Sequence, residues 1–154
     1  MSLYDTNLDK NKANYVPLTP LTFLKRAKEI YPNYEALIYE DRKFTWNQVY
    51  KRTVKFASAL NKIGVRKGDT VSFLAFNTPE IFEGHYSVPM TGAVLNTINI
   101  RLDAKTIAYI LDHSEAKVLV VDRQLHIEVK KAPVSYTHLR AHETVLDLVC
   151  RLLL

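Results

Sequence analysis

The chain has 154 residues and a formal net charge of +5, with 47% hydrophobic and 24% charged residues. This length and composition suit one ordinary globular domain and exclude an intrinsically disordered chain. Lysines and arginines are scattered among acidic residues instead of forming a basic run, so we expect no nucleic-acid partner. The single cysteine, Cys150, excludes an intramolecular disulfide and a multi-cysteine zinc site.

The N-terminal residues 1–13 are polar, and we expect them to form a loose segment. They lack the charged-then-apolar pattern of a signal peptide. No apolar run approaches the roughly 20 residues that a membrane-spanning helix needs. We therefore expect a cytoplasmic protein without a transmembrane segment.

A helix and a short hairpin are the first regular elements that the sequence predicts. Thr19 is placed to cap a helix with Pro20 at its first position, and Pro32 ends that helix. Residues 36–39 and 43–44 then predict two short strands joined by a turn.

A second helix has a clear start signal. Thr45 and Gln48 have the spacing of a capping box, in which each side chain bonds the other residue's backbone N–H. Phe44 and Val49 occupy the two positions of a hydrophobic staple. Gly64 is suited to the left-handed conformation that closes a helix.

The rest of the chain alternates strands and helices. Strands are predicted at residues 70–76, 93–97 and 117–121, and the helices between them are capped by Thr78 and Asp103. The last strand is an unbroken apolar run, as expected of a strand buried on both sheet faces. Alternation with short links predicts an α/β fold built on a parallel, right-handed βαβαβ layer.

No residue of this chain is assigned to a catalytic, cofactor-binding or metal site. The carboxyl ends of the predicted strands, where α/β sheets bind ligands, offer polar groups at residues 77–78, 96–101 and 122–123, which fit capping and turns. The four glycines form neither a P-loop nor a dinucleotide motif. His85 and His113 lack a second ligand at metal spacing, so we expect one to pack with hydrogen bonds and the other to lie at a helix end.

Several segments, taken in order, resemble one enzyme family. They read NYVPLTP at residues 14–20, ALIYEDRKFTW at 36–46, NTPE at 77–80 and VPMTGAVLNTINIRLD at 88–103. The set is similar to AMP-forming acyl-CoA synthetases of the adenylate-forming, AMP-binding superfamily. The subgroup most like it acts on short and medium acyl chains and includes methylmercaptopropionate-CoA ligases. The likeness covers about residues 14–127.

The resemblance implies an ATP-dependent ligase. Such enzymes join a carboxylic acid and ATP with Mg²⁺ to form an acyl-adenylate, and then transfer the acyl group to CoA. Their phosphate loop, acyl-adenylate motif, hinge aspartate and C-terminal lysine lie downstream and do not occur in this sequence. The expectation is therefore an N-terminal fragment, with an incomplete AMP-binding domain at residues 14–133 that acts as scaffold, binds no cofactor by itself and is inactive.

A domain cut in this way leaves apolar surface without its natural cover, and we expect the fragment to self-associate. The candidate surfaces are Ile81 and Tyr86 on one helix, Ile107 and Ile110 on another, and the strand at residues 118–121.

The C-terminal residues 134–154 resemble a translated sequencing adaptor. Residues 134–144 match the transposase end in one reading frame, residues 145–146 fall on the variable index, and residues 147–154 match the flow-cell primer. On this interpretation the side chains of the segment carry no functional information. The competing interpretation is a genuine amphipathic helix, since its leucines and Val149 partly follow a helical stripe.

Two alternatives to an acyl-CoA ligase fragment stay open from the sequence. One is a fragment of a relative that activates aryl or amino acids. The other is a complete, non-catalytic α/β binding module.

Overall fold

The structure, a computed structural model, describes residues 9–125. Residues 1–8 of the predicted loose segment and the whole predicted adaptor-derived tail lie outside this range. The first elements are α1 (Pro20–Ile30), β1 (Glu35–Tyr39), β2 (Arg42–Thr45) and α2 (Trp46–Lys62). They are followed by β3 (Thr70–Leu74), α3 (Pro79–Met90), β4 (Val94–Thr97), α4 (Ala104–His113), β5 (Ala116–Val121) and a 3₁₀ turn at Arg123–Leu125.

The predicted helix starts are confirmed at three helices. Thr19 caps α1, with Pro20 at the first helical position. Thr45 accepts a hydrogen bond from the Gln48 N–H at 3.3 Å and donates its own N–H to Gln48 Oε1 at 2.8 Å, which completes the capping box. Asp103 Oδ1 accepts from the N–H groups of Lys105 and Thr106 at 2.9 and 3.1 Å. Gly64 has the expected positive φ, 96°, after α2.

The predicted cap of α3 is wrong in its chemistry. Thr78 occupies the N-cap position, but its side chain makes no bond to the first helical N–H groups. Its hydroxyl instead hydrogen-bonds the Glu80 carboxylate and helps to lower the pKa of that group. The Thr78 hydroxyl therefore acts on Glu80 and not on the first N–H groups of α3.

Three parallel strands form the sheet in the order β4-β3-β5, which confirms the predicted βαβαβ layer. Val71 of the central strand lies opposite Leu95 on one side and Val118 on the other. Strand β3 ends at Leu74, two residues before the predicted end. The hairpin β1-β2 is antiparallel and separate from this sheet, and its strands are slightly longer than predicted.

Side chains alternate between the two faces of the sheet and build two apolar clusters. Phe73 and Val120 pack with Leu60 and Val88 of helices α2 and α3. Leu74 and Val121 point to the other face and pack with Ile107 and Leu111 of α4. Helices therefore cover both faces of β3 and β5, since successive strand side chains point to opposite sides.

The predicted self-association surface is largely wrong, because most of it is buried. Ile107 is 1% exposed, and residues 118–121 are between 1% and 4% exposed, since α2, α3 and α4 cover both sheet faces. Most of the large exposed apolar side chains lie instead around α1 and the hairpin. They include Phe23, Ile30, Tyr31, Tyr34 and Ile38.

Across residues 9–125, no helix combines the length and the apolar character that crossing a membrane requires.

Candidate functional site

A cleft opens at the carboxyl ends of β3 and β5. The connection from β3 leads through α3 to β4 on one side, while β5 lies on the other side, so the chain diverges at this edge. Open α/β sheets bind ligands where strand order reverses in this way. The cleft has a volume of about 250 Å³. Its polar lining consists of Arg42, Thr78, Glu80, Asp122 and Arg123.

Strand ends and one hairpin tip bring these side chains together. Thr78 is the N-cap residue before α3. Asp122 follows β5, and its N–H donates to the Leu74 carbonyl at 2.9 Å. Asp122 Oδ1 accepts from the Gln124 N–H at 2.9 Å and so closes the 3₁₀ turn. Arg42 reaches the cleft from the hairpin, outside the parallel sheet.

Four charged side chains form an ionic cluster beside the cleft. Arg42 Nη1 lies 3.2 Å from Glu80 Oε1, and Arg52 Nη2 lies 3.7 Å from the same oxygen. Arg52 Nε also donates to Glu83 Oε1. The cluster joins β2, α2 and α3, and the Glu83 side chain at its base is only 2% exposed.

The surroundings shift the pKa values of the two carboxylates of this cluster in opposite directions. Burial raises the pKa of Glu83, and the hydrogen bond from Arg52 only partly opposes it. Burial also acts to raise the pKa of Glu80. There, hydrogen bonds from its own N–H, the Thr78 hydroxyl and Arg42 prevail and lower the pKa. Glu80 is thus held as an anion, while ionised Glu83 is costly.

Phe44 holds both guanidinium groups in place. The Arg52 guanidinium lies 5.0 Å from its ring centroid and that of Arg42 lies 5.7 Å away. Arg42 also lies 5.5 Å from the Tyr39 ring. Contacts of this kind favour a fixed planar cation over a mobile one.

A second cavity, the hairpin–α3 groove, lies next to the cleft. It measures about 490 Å³ and is lined mainly by apolar and aromatic side chains. Phe82 and Tyr86 form an edge-to-face pair with ring centroids 5.3 Å apart. The remaining walls come from Leu37, Ile38, Tyr39, Asn77, Thr78, Pro79, Ile81 and His85.

The predicted strand-end groups meet only in part. Thr78 and residues 122–123 share the cleft, but residues 96–101 do not line it. Asn96 has a structural role, since its Nδ2 donates to Ser72 Oγ at 2.9 Å and to Ser114 Oγ at 3.2 Å. Arg42 and Glu80 were not predicted, because their pairing spans 38 residues and leaves no local spacing signal.

The histidines have structural contacts. His85 Nδ1 lies 2.7 Å from the Ile81 carbonyl oxygen, but the side chain is exposed and not packed as predicted, because α3 turns that face outward. His113 ends α4 as predicted and stacks on Tyr109 at 5.7 Å between ring centroids. Between residues 9 and 125, no three His, Cys, Asp or Glu side chains are grouped to hold a metal ion.

The cleft and its ionic cluster can therefore bind and orient a ligand. Among the described residues they contain no nucleophile–base pair. The cleft lies where the strand order reverses, which is the ligand-binding edge of an open α/β protein. Two solved structures share this fold. A long-chain fatty-acid CoA ligase, described as putative, from Rhodopseudomonas palustris superposes with a TM-score of 0.77 at 26% identity, over 84% of this chain and 33% of that one.

The second is the O-succinylbenzoate CoA synthetase from Bacillus subtilis in complex with ATP and magnesium. Its TM-score is 0.66 at 25% identity, and the match covers 73% of this chain and 31% of that one.

Sequence comparison narrows the class to one family. Residues 24–150 match the AMP-binding enzyme family, and the chain belongs to it. A peroxisomal butyrate–CoA ligase from Arabidopsis thaliana is 57% identical over 116 residues, which is 75% of this chain and 20% of that protein. A peroxisomal trans-cinnamate:CoA ligase from Petunia hybrida is 54% identical over 125 residues, or 81% and 22% of the two chains.

The chain spans about a fifth of the length of the curated relatives it matches. The family match also extends through residue 150, beyond the predicted boundary of the natural sequence at residue 133. That boundary stays a prediction.

Proposed function

We propose that this chain is the N-terminal part of an AMP-forming acyl-CoA ligase and that its role in that enzyme is to support the catalytic segments. The observation that carries this is the identity of 57% with a butyrate–CoA ligase, over three quarters of this chain. The ionic cluster supports a scaffold role, since each of its four charges is paired with an opposite charge within the cluster.

The complete enzyme would use ATP, Mg²⁺ and CoA. Adenylation converts a carboxylate oxygen into a good leaving group, and Mg²⁺ neutralises charge on the phosphates. The described residues contain no loop or cation cluster suited to that work, so the fragment alone would bind none of these and form no acyl-CoA. The B. subtilis synthetase, solved with ATP and magnesium, supports the cofactor assignment.

The proposed substrate is a carboxylic acid with a short or medium aliphatic chain. The butyrate ligase supports this choice. An aromatic acid is the second candidate, because a cinnamate ligase is nearly as similar, at 54% identity. The sequence identities of this region, 57% and 54%, do not distinguish an aliphatic from an aromatic acid as the substrate.

The cytoplasmic location expected from the sequence stays a prediction. Both plant relatives named above are peroxisomal enzymes. A fluorescent fusion of the full gene product, imaged beside a peroxisomal marker, would distinguish the two locations.

The experiment compares the 154-residue chain with the full gene product. Each is assayed for pyrophosphate and acyl-CoA with ATP, Mg²⁺, CoA and butyrate, hexanoate, benzoate or cinnamate. We expect the full product to be active on an aliphatic acid and the short chain to match an empty-vector control. Activity of the short chain would contradict the scaffold role, and a full product inactive on every acid would favour a non-catalytic binding module.

A further inference from the structure

The cleft and the hairpin–α3 groove meet at the first turn of α3. Thr78 and Ile81 line both cavities. Arg42 crosses this meeting point, since it lines the cleft and its guanidinium lies 5.5 Å from the ring of Tyr39, a wall of the groove. Arg42 therefore lies where the two cavities adjoin.

The base and the tip of the hairpin are attached differently. At the base, the Trp46 N–H donates to the Tyr34 carbonyl and the Asn47 N–H to the Pro32 carbonyl, both at 3.1 Å. These backbone bonds hold the hairpin to the start of α2. At the tip, the bond from Arg42 to Glu80 ties β2 to α3. The hairpin is therefore held to α2 by backbone hydrogen bonds at its base and to α3 by an ion pair at its tip.

Loss of Arg42 would leave the rest of the cluster intact. Glu80 keeps Arg52 Nη2 at 3.7 Å, and Arg52 also donates to Glu83. Phe44 keeps the Arg52 guanidinium over its ring. No buried charge loses its last partner, so opening at the tip does not carry the large penalty of an unpaired buried ion.

We propose that the Arg42–Glu80 ion pair is a latch that holds the hairpin against α3 and keeps the cleft and the groove apart. When the pair breaks, the hairpin moves away from α3 about its base. The two cavities then merge, and the half-buried Phe82 and Tyr86 in the α3 wall of the groove become more accessible to apolar ligands. The latch concerns the described residues alone and does not depend on the proposed ligase function.

The test compares Arg42→Gln with Lys43→Gln in the 154-residue chain. Lys43 is the matched control because its partner, Glu35 at 2.9 Å, lies within the hairpin itself. Hydrophobic-dye emission with anilinonaphthalene sulfonate reports the α3 wall, and endoproteinase Glu-C cleavage after Glu40 reports release of the tip. Because partly exposed ion pairs shift local equilibria only modestly, we expect Arg42→Gln to raise both by about threefold.

Lys43→Gln should match the parent chain in both measurements. Equal dye emission and equal cleavage in the two variants, with helical circular dichroism unchanged, would overturn the latch. If Arg42→Gln loses its helical signal, Arg42→Lys replaces it, because lysine keeps the charge and stem but not the planar fork. We then expect an increase of about twofold in cleavage, and cleavage no faster than in Lys43→Gln would overturn the proposal.

Discussion

Gly84 of α3 lies directly over the ring of Phe73 at the centre of the sheet. A Cβ atom at residue 84 would be 2.8 Å from Phe73 Cζ and 2.9 Å from its Cε1. The helix can approach the strand this closely only because glycine has no side chain. Phe73 is fully buried and packs edge-to-face with Phe56, so its ring has little room to move.

Gly84→Ala should therefore destabilise the protein. In an exposed helix this substitution stabilises by about 1 kcal/mol. Here we expect a loss of about 1–3 kcal/mol from overpacking against Phe73. Urea denaturation followed by circular dichroism measures the difference, with Ser58→Ala on the exposed face of α2 as control. A gain in stability for Gly84→Ala would show that α3 is not seated on Phe73.

At neutral pH, Glu80→Gln should lower the free energy of unfolding, whereas Glu83→Gln should not. The lowered pKa of Glu80 means that its ionised form stabilises the fold above the ordinary value of 4.5, and this contribution is lost as the pH falls through the folded-state pKa. Glu80→Gln should therefore cost about 1–3 kcal/mol at pH 7.

The raised pKa of Glu83 has the opposite effect. Its ionisation costs no stability below the ordinary value of 4.5, and the cost is complete once the pH has risen through the folded-state pKa. Glu83→Gln should be neutral or stabilising at pH 7, and Arg52 keeps Glu80 as a partner. Denaturant melts between pH 4 and pH 8 follow both variants. Stronger destabilisation by Glu83→Gln than by Glu80→Gln would refute this assignment of the charges.

Glu115→Gly should stabilise the turn between α4 and β5. Glu115 has a φ of 48°, in the left-handed region where helices usually end in glycine. Relief of this strain outweighs the added entropy of the unfolded chain, so we expect a gain of about 0.5–1 kcal/mol. Glu115→Ala removes the same carboxylate without that relief. Thermal midpoints that are equal for the two variants would speak against a strained turn.

Removal of residues 134–154 should leave the thermal stability of the protein unchanged. If this segment derives from an adaptor, a chain ending at Pro133 loses no native packing. Its thermal midpoint should match that of the full chain. A drop of more than a few degrees, roughly what 1 kcal/mol produces in a domain of this size, would support the competing amphipathic helix.

The isolated chain should associate through the exposed apolar surface around α1 and the hairpin. Phe23 is 57% exposed and Ile38 is 60% exposed, and neither side chain is covered within the described residues. Phe23→Ser with Ile38→Thr should reduce light scattering and dye binding at micromolar concentration. Lys51→Ser on the exposed face of α2 serves as control. A monodisperse parent chain would contradict this prediction and favour a self-sufficient module.

Local signals in the sequence determined the elements and the class of fold. The capping box at Thr45 and Gln48 could be predicted because its hydrogen bonds join residues three apart, whose geometry the helix itself dictates. The apolar run of β5 likewise indicated a strand buried on both faces, and the strand is buried. Alternation of strands and helices then restricted the topology to a parallel layer.

Only the tertiary structure decided the cleft, the latch and the exposed surface. Arg42 meets Glu80, and Gly84 meets Phe73, because β3 lies at the centre of the sheet and the hairpin folds back on α2. Such contacts depend on strand order and helix seating, which join distant segments and leave no fixed spacing in the chain. Periodicity likewise identifies an apolar helix face, whereas its burial depends on the elements that pack against it.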